Sequence, residues 1–137
     1  MINDTITFLE TKMNEIRGTS TYNFKKKRSF NDRYNESTRI REKYPDKVPL
    51  IVCRANQCKT VPDIDRHKYL VPSDLTIGQF MYVIRKRIKL EPHVSIYMMI
   101  DGLTMPASCQ LIGSLYNEHV DNDGFLYIIY TGESTFG

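Results

Sequence analysis

The sequence predicts a single domain of the α+β class. Two short β-rich segments precede a helix with strong boundary residues, and an uninterrupted apolar strand lies near the carboxyl end. With 137 residues, of which 41% are hydrophobic and 26% are charged, the chain suits a soluble domain with its own core. It has no apolar stretch approaching the roughly 20 residues that span a bilayer, and no secretory signal, so a cytoplasmic protein is expected.

The first helix is predicted over residues 2–17, where five apolar residues recur at helical spacing. They are Ile2, Ile6, Leu9, Met13 and Ile16. Gly18 marks a helix end, and a polar connector follows. We therefore predict an extension over residues 1–23 and a domain over residues 24–137 that ends in a flexible tail. The mixed, slightly acidic charge of the extension favours docking on protein, while a mobile arm and a membrane-seeking helix stay open.

The elements of the domain follow in order along the chain. Ser29 caps a second helix that runs to about Tyr44, with Phe30, Tyr34 and Ile40 expected to face inward. Residues 48–54 and 68–71 are predicted to form a hairpin-like pair of strands. A helix then starts at Thr76, where Gln79 completes a capping box, and runs to Leu90. The last elements are a strand over residues 96–100 that turns at Asp101-Gly102, a short helix over 111–119 and a central strand over 125–130.

The third predicted helix carries two apolar stripes. Its core face contains Ile77, Met81, Ile84 and Ile88. A second stripe, formed by Phe80, Val83 and Arg87, lies about 80° to one side and is predicted to be half exposed. This stripe either widens the buried face or forms the wall of an apolar groove that binds a partner peptide. If residues 68–71 border it at a sheet edge, an extended peptide can pair with that strand.

Charge is distributed unevenly along the chain. Residues 24–47 contain nine basic and four acidic residues, whereas residues 90–137 contain six acidic residues and no lysine or arginine. The basic run is sharpest at Lys25, Lys26, Lys27 and Arg28. It is interpreted as a solvated helix face, or as a surface for anionic lipid or nucleic acid, although no accompanying motif supports specific nucleic-acid binding.

No arrangement of residues supports catalysis or metal binding. Cys53, Cys58 and Cys109 form an odd set without paired spacing, which predicts plain thiols rather than disulfides. The histidines lie far apart without partner carboxylates, so neither an enzyme nor a cofactor is predicted. The final residue, Gly137, suggests another chemistry, because its carboxylate can pass through a narrow enzyme cleft and be activated for transfer to an amine. A terminal glycine without such a role is the alternative.

Five segments together resemble the autophagy ubiquitin-like modifiers, the GABARAP and microtubule-associated light-chain-three proteins. They are residues 24–30 (FKKKRSF), 41–49 (REKYPDKVP), 68–74 (KYLVPSD), 125–127 (FLY) and the final Phe136-Gly137. Some segments favour one branch and some the other, with a preference for the light-chain-three branch. The resemblance covers residues 24–137 and leaves the extension unmatched.

The resemblance implies a ubiquitin-like β-grasp fold with N-terminal helices packed on the domain. Activating and conjugating enzymes would join Gly137 to phosphatidylethanolamine on autophagosomal membranes, which the protein would help to tether. A cysteine protease would process the precursor and reverse the lipidation. Cargo receptors and adaptors would bind through short motifs with an aromatic residue and, three positions later, an aliphatic one. A non-covalent β-grasp adaptor, whose basic region binds microtubules, RNA or anionic membrane, is the alternative.

Carried over residue by residue, the resemblance implies two adjoining pockets. The aromatic pocket would comprise Glu36, Ile40, Pro49, Ile51, Lys68, Leu70 and Phe125. The aliphatic pocket would comprise Tyr69, Val71, Pro72, Phe80, Val83 and Arg87. Lys47 and Arg66 would form a charged rim that, together with Lys68, favours acidic flanks of the motif. The motif would add to the edge strand, with local twist bringing both of its apolar side chains to one surface.

Overall fold

The computed structural model describes residues 23–56, 58–100 and 104–132. The predicted extension helix, the turn at Asp101-Gly102 and Gly137 lie outside the described residues. The elements, in chain order, are α1 (Phe24–Lys27), α2 (Phe30–Lys43), β1 (Lys47–Arg54), β2 (Lys68–Pro72), α3 (Ile77–Arg87), β3 (Tyr97–Ile100), α4 (Ile112–His119) and β4 (Leu126–Thr131). The prediction of an α+β fold is confirmed.

The four strands form one mixed sheet in the order β2-β1-β4-β3. β1 pairs antiparallel with β2, and this confirms the hairpin-like pair. β1 also runs parallel to β4, and β3 pairs antiparallel with β4. The apolar strand near the carboxyl end is therefore central, as predicted. β2 forms an edge of the sheet in the part of the chain that the structure describes.

Local capping explains where the helices begin. The Ser29 hydroxyl accepts a hydrogen bond from the Asp32 amide at 3.1 Å and so caps α2. At α3, the Thr76 hydroxyl and the Gln79 side chain accept reciprocal backbone hydrogen bonds, which confirms the capping box. The predicted end at Leu90 is wrong by three residues: α3 ends at Arg87, and Lys89 takes a left-handed φ of 54° that cannot continue a helix.

The sheet buries both of its faces. Leu50 and Val52 of β1 belong to the larger core, which also contains buried residues of α3 and α4. Ile51 and Cys53 point to the opposite face, where they pack with Phe24 and Phe125 in a smaller cluster. Because successive residues of a strand face opposite sides, β1 joins the two cores through alternate side chains.

The prediction of the inward face of α2 is wrong for its two aromatic residues. Phe30 and Tyr34 are 46% and 48% exposed, while Arg33 and Ser37 are buried. The physical reason is a polar anchor: the Arg33 guanidinium donates to the Asp123 carboxylate at 2.5 Å, and the Ser37 hydroxyl donates to the Asp123 carbonyl at 2.6 Å. These bonds fix the rotation of α2 and bury Arg33 and Ser37, while the aromatic pair nearer the start of the helix stays largely exposed.

Candidate peptide-binding groove

The candidate site lies along the edge strand β2, whose residues alternate between the two faces of the sheet. Tyr69 and Val71 contact the larger core beside α3. Lys68 and Leu70 therefore project toward the other face, and the Lys68 ammonium reaches the Glu36 carboxylate of α2 at 2.7 and 2.8 Å. The strand thus runs between two helices, with α2 on one side and α3 on the other.

The residues predicted for the aromatic pocket come together on the α2 side of β2. Pro49 is paired with Leu70, and Ile51 with Lys68, across the β1–β2 ladder. Ile51 and Phe125 pack in the smaller core and form its buried base. Leu70 is 36% exposed, so it offers an apolar surface at the strand edge.

Phe24 is a residue of this region that the sequence analysis missed. Its ring packs edge-on against Phe125, with the ring centroids 5.3 Å apart. The Lys68 ammonium lies 5.2 Å above the same ring, and the Arg28 guanidinium lies 5.9 Å from it. The α1 helix therefore borders the predicted aromatic pocket together with α2. In the sequence, Phe24 is a single apolar residue before a basic run, and no repeating apolar pattern marks it as buried.

Five of the residues predicted for the aliphatic pocket lie on the α3 side of β2, namely Tyr69, Val71, Phe80, Val83 and Arg87, whereas strand alternation puts Pro72 on the same face as Lys68 and Leu70. Val83 is 44% exposed and gives this side its apolar surface. Arg87 donates two hydrogen bonds to Asp65, at 2.8 and 2.9 Å. This bidentate pair raises the pKa of Arg87 and lowers the pKa of Asp65, so both groups stay charged. Burial raises the pKa of the Tyr69 hydroxyl and keeps it neutral.

Phe80 does not lie in the half-exposed stripe in which it was predicted. Its side chain is fully buried, and its ring packs edge-on against Tyr69 at 5.6 Å between centroids. Met81, predicted to be core, is only partly buried. Removing the Phe80 ring would leave a cavity in the core, so Phe80→Ala cannot report on peptide binding with the fold unchanged.

The two sets of pocket residues flank β2 on opposite faces of the sheet rather than sharing one surface. This arrangement changes the expected geometry of a bound motif. Residues three apart on an extended peptide point to opposite sides of its backbone, because side-chain direction alternates with a period of two. A strand paired with β2 would direct an aromatic side chain toward α2 and an aliphatic one toward α3, without the local twist that was expected.

Several of the predicted basic residues are engaged within the fold. The Lys25 ammonium contacts Asp121 at 2.6 Å and lies 4.8 Å above the Tyr127 ring. Arg28 lies 3.6 Å from Glu36, the carboxylate that also binds Lys68. The basic run therefore helps to attach α1 to the domain, and the Lys68 ammonium is already paired with the Glu36 carboxylate. Arg66 is exposed and Lys47 is half-buried beside the Tyr44 ring, so both remain available to the proposed rim.

Comparison with known proteins identifies the family. Residues 32–137 match the model of the family described as "Autophagy protein Atg8 ubiquitin like". The chain belongs to the Atg8 family. It is 54% identical over 114 residues to Autophagy-related protein 8 of Mycosarcoma maydis, an alignment that covers 83% of this chain and 95% of the relative. The same identity and length hold for Autophagy-related protein 8 of Schizosaccharomyces pombe, with 93% of that relative covered.

Family membership confirms the resemblance and the ubiquitin-like fold. An Arabidopsis thaliana relative, Autophagy-related protein 8d, is 53% identical over 114 residues and is covered to 93%. The Atg8 protein is thus an autophagy ubiquitin-like protein. The preference for the light-chain-three branch stays a prediction.

The three cysteines of the chain all lie among the described residues. Cys53 and Cys58 are buried free thiols, and Cys109 is an exposed one. Within the described ranges, no three potential metal ligands cluster together, and no helix has the length and apolar character to cross a bilayer.

Proposed function

We propose that this protein is an autophagy modifier whose Gly137 carboxylate is joined to phosphatidylethanolamine, and whose β2 edge binds short aromatic-x-x-aliphatic motifs of cargo receptors and adaptors. Activating and conjugating enzymes carry out the transfer, and a cysteine protease processes the precursor and releases the lipid. The protein works in the cytoplasm and on the autophagosome membrane, where it supports tethering. It acts as the acyl donor and has no catalytic role of its own.

The observation that carries the proposal is the edge strand between two helices. β2 offers backbone groups to a partner strand, with Leu70 exposed on its α2 side and Val83 on its α3 side. Main-chain pairing supplies affinity in this mode of recognition, and pockets for side chains supply specificity. Membership of the Atg8 family, whose matched region extends to residue 137, supports a role for the terminal glycine.

Conjugation is tested by mass spectrometry. The full chain is incubated with the activating and conjugating enzymes, ATP and liposomes that contain phosphatidylethanolamine. A mass gain of one lipid, mapped to Gly137, is expected. If enzymes that lipidate another Atg8 protein produce no adduct here, the proposal of a conjugated modifier is wrong, and a non-covalent adaptor becomes the better account.

Leu70→Ala and Val83→Ala are expected to weaken binding of a synthetic Trp-x-x-Leu peptide with acidic flanks. Both side chains are partly exposed, so each truncation removes contact surface and leaves the core filled. The expected loss is roughly fivefold to tenfold in Kd for each variant, or about 1 kcal/mol. Calorimetry measures the affinity, and Val120→Ala is the matched control because Val120 is exposed outside both pockets. Unchanged affinity in both pocket variants would reject the assignment.

Lys47→Ala and Arg66→Ala are expected to slow association of the same peptide and to reduce its dependence on salt. Charges at the rim of a binding site mainly raise the rate at which the two molecules associate. Salt screens this attraction, with a screening length of about 10 Å at 0.1 M ionic strength. Stopped-flow association rates at low and high salt provide the measurement. Lys59→Ala removes an exposed cation outside the proposed rim and is the control. If the control variant lowers the rate equally, net charge rather than a defined rim attracts the peptide.

A further inference from the structure

The exposed aromatic pair of α2 is an apolar surface that the proposed peptide groove does not use. The Phe30 and Tyr34 rings stack, with centroids 5.9 Å apart and planes inclined by 19°. The Arg33 guanidinium lies over the Phe30 ring, 5.6 Å from its centroid. Two large rings, each nearly half exposed and ordered against each other on one helix, form a preorganised contact surface.

This pair continues a helix face that is already covered. At about 100° per residue, Phe30, Tyr34, Ser37 and Arg41 lie within about 60° of one another around α2. The second half of this face contacts the domain: the Ser37 hydroxyl bonds to Asp123, and the guanidinium of the exposed Arg41 lies 5.0 Å from the centroid of the Tyr116 ring. The covered interface therefore extends, without a change of direction, onto the two uncovered rings.

We infer that the N-terminal extension docks its apolar stripe on Phe30 and Tyr34. The alignments with the relatives cover 114 residues, which is 83% of this chain and nearly the whole length of each relative. The remaining part of this chain is about as long as the extension, so the extension is additional to the domain that the relatives share. The apolar residues of the extension are spaced by three or four positions. In a helix they would form a narrow stripe that is suited to packing along one other helix. Sixteen helical residues span about 24 Å, which is comparable with the length of α2.

The attachment point favours this occupant over others. The Asn23 side chain caps α1 by accepting a hydrogen bond from the Lys26 amide, and the buried Phe24 ring packs α1 against Phe125 of the domain. Only Arg28 and Ser29 separate α1 from α2. A connector of six residues can reach about 20 Å, so the extension is held close to the aromatic pair at high effective concentration. Residues 2–17 of the extension contain three acidic and two basic residues. This charge disfavours an anionic membrane as the surface on which the apolar stripe docks.

Docking on this face would leave the peptide groove open. Glu36 and Ile40, which belong to the aromatic pocket, lie about 120° around α2 from the midpoint of Phe30 and Tyr34. The extension therefore acts as a brace for α2 and does not compete with motif peptides. Leu9→Asp should leave peptide affinity unchanged, and a marked rise in affinity would place the extension in the groove and overturn the inference.

The test uses the absence of tryptophan from the chain. A Leu9→Trp variant of the full-length protein introduces one fluorophore at the centre of the stripe, and Met13→Trp provides a second position. The expected result is a blue-shifted emission and a several-fold lower iodide quenching constant than in the same variant carrying Phe30→Ser and Tyr34→Ser. Tyr82→Ser, which removes an exposed aromatic residue from α3, is the matched control and should change neither signal.

Three results would overturn the inference. Protection that survives the Phe30→Ser and Tyr34→Ser changes at both probe positions would place the stripe elsewhere. Protection that appears only at high protein concentration would assign it to a second copy of the chain. Protection that needs vesicles of phosphatidylserine and phosphatidylcholine would assign it to a membrane. Circular dichroism of each variant verifies that the domain is folded.

Discussion

Gly137→Ala is expected to abolish lipid attachment, with no adduct above background after a reaction that converts most of the unmodified chain. A methyl group on the last Cα blocks entry into a cleft shaped for glycine and restricts the approach of the activated carboxylate to an amine. The expected effect is large because misplacement of a reacting atom by about 1 Å can cost a hundredfold in rate. Intact-mass measurement after incubation with liposomes, enzymes and ATP reports the result.

Ser134→Ala is the matched control, since it makes a small change in the same tail while keeping the terminal glycine. The Gly137→Ala variant should also bind the Trp-x-x-Leu peptide with unchanged affinity. This second readout separates loss of conjugation from loss of the fold or of the groove. Efficient lipidation of Gly137→Ala would show that the terminal residue does not decide conjugation and would remove the main argument for the acyl-donor role.

The parts of the fold that were predicted correctly are those determined by neighbours in the chain. The capping box needs only Thr76 and Gln79, and both hydrogen bonds are present. The central strand was recognisable because an uninterrupted apolar run fits a strand buried on both faces. The order of the elements followed from these local patterns, and the resemblance of separate segments identified the family.

The errors arise where distant residues decide the outcome. The inward face of α2 was assigned from its aromatic residues, but the structure buries Arg33 against Asp123, which is 90 residues away in the chain. An arginine in a helical sequence pattern is normally predicted to be exposed, because its charge can be buried favourably only beside an oppositely charged group. Phe24 and Phe80 likewise owe their positions to contacts with Phe125 and Tyr69, and neither contact can be inferred from spacing along one helix.

The buried ion pair between α2 and the start of β4 gives the second large expected effect. Asp123 is fully buried and accepts hydrogen bonds from Arg33, from the Tyr127 hydroxyl and from the Phe125 amide. Burial disfavours the charge of Arg33, but its hydrogen bonds and charge interactions with Asp123 and Tyr127 together outweigh this and raise the pKa of the guanidinium. Gly124 completes the anchor: its φ of 87° and its contact with Ser37 leave no room for a side chain.

Asp123→Ala is expected to lower the free energy of unfolding by about 3–5 kcal/mol, because it leaves the buried Arg33 charge without its carboxylate counterion. Urea denaturation measures the change. Asp65→Ala, which breaks the exposed pair with Arg87, is the control and should have little effect on stability. Since α2 carries Glu36 and Ile40, which are predicted to line the aromatic pocket, the fraction of Asp123→Ala that stays folded should also bind the motif peptide more weakly. Equal, small stability losses in both variants would mean that packing of α2, rather than the ion pair, fixes one wall of the groove.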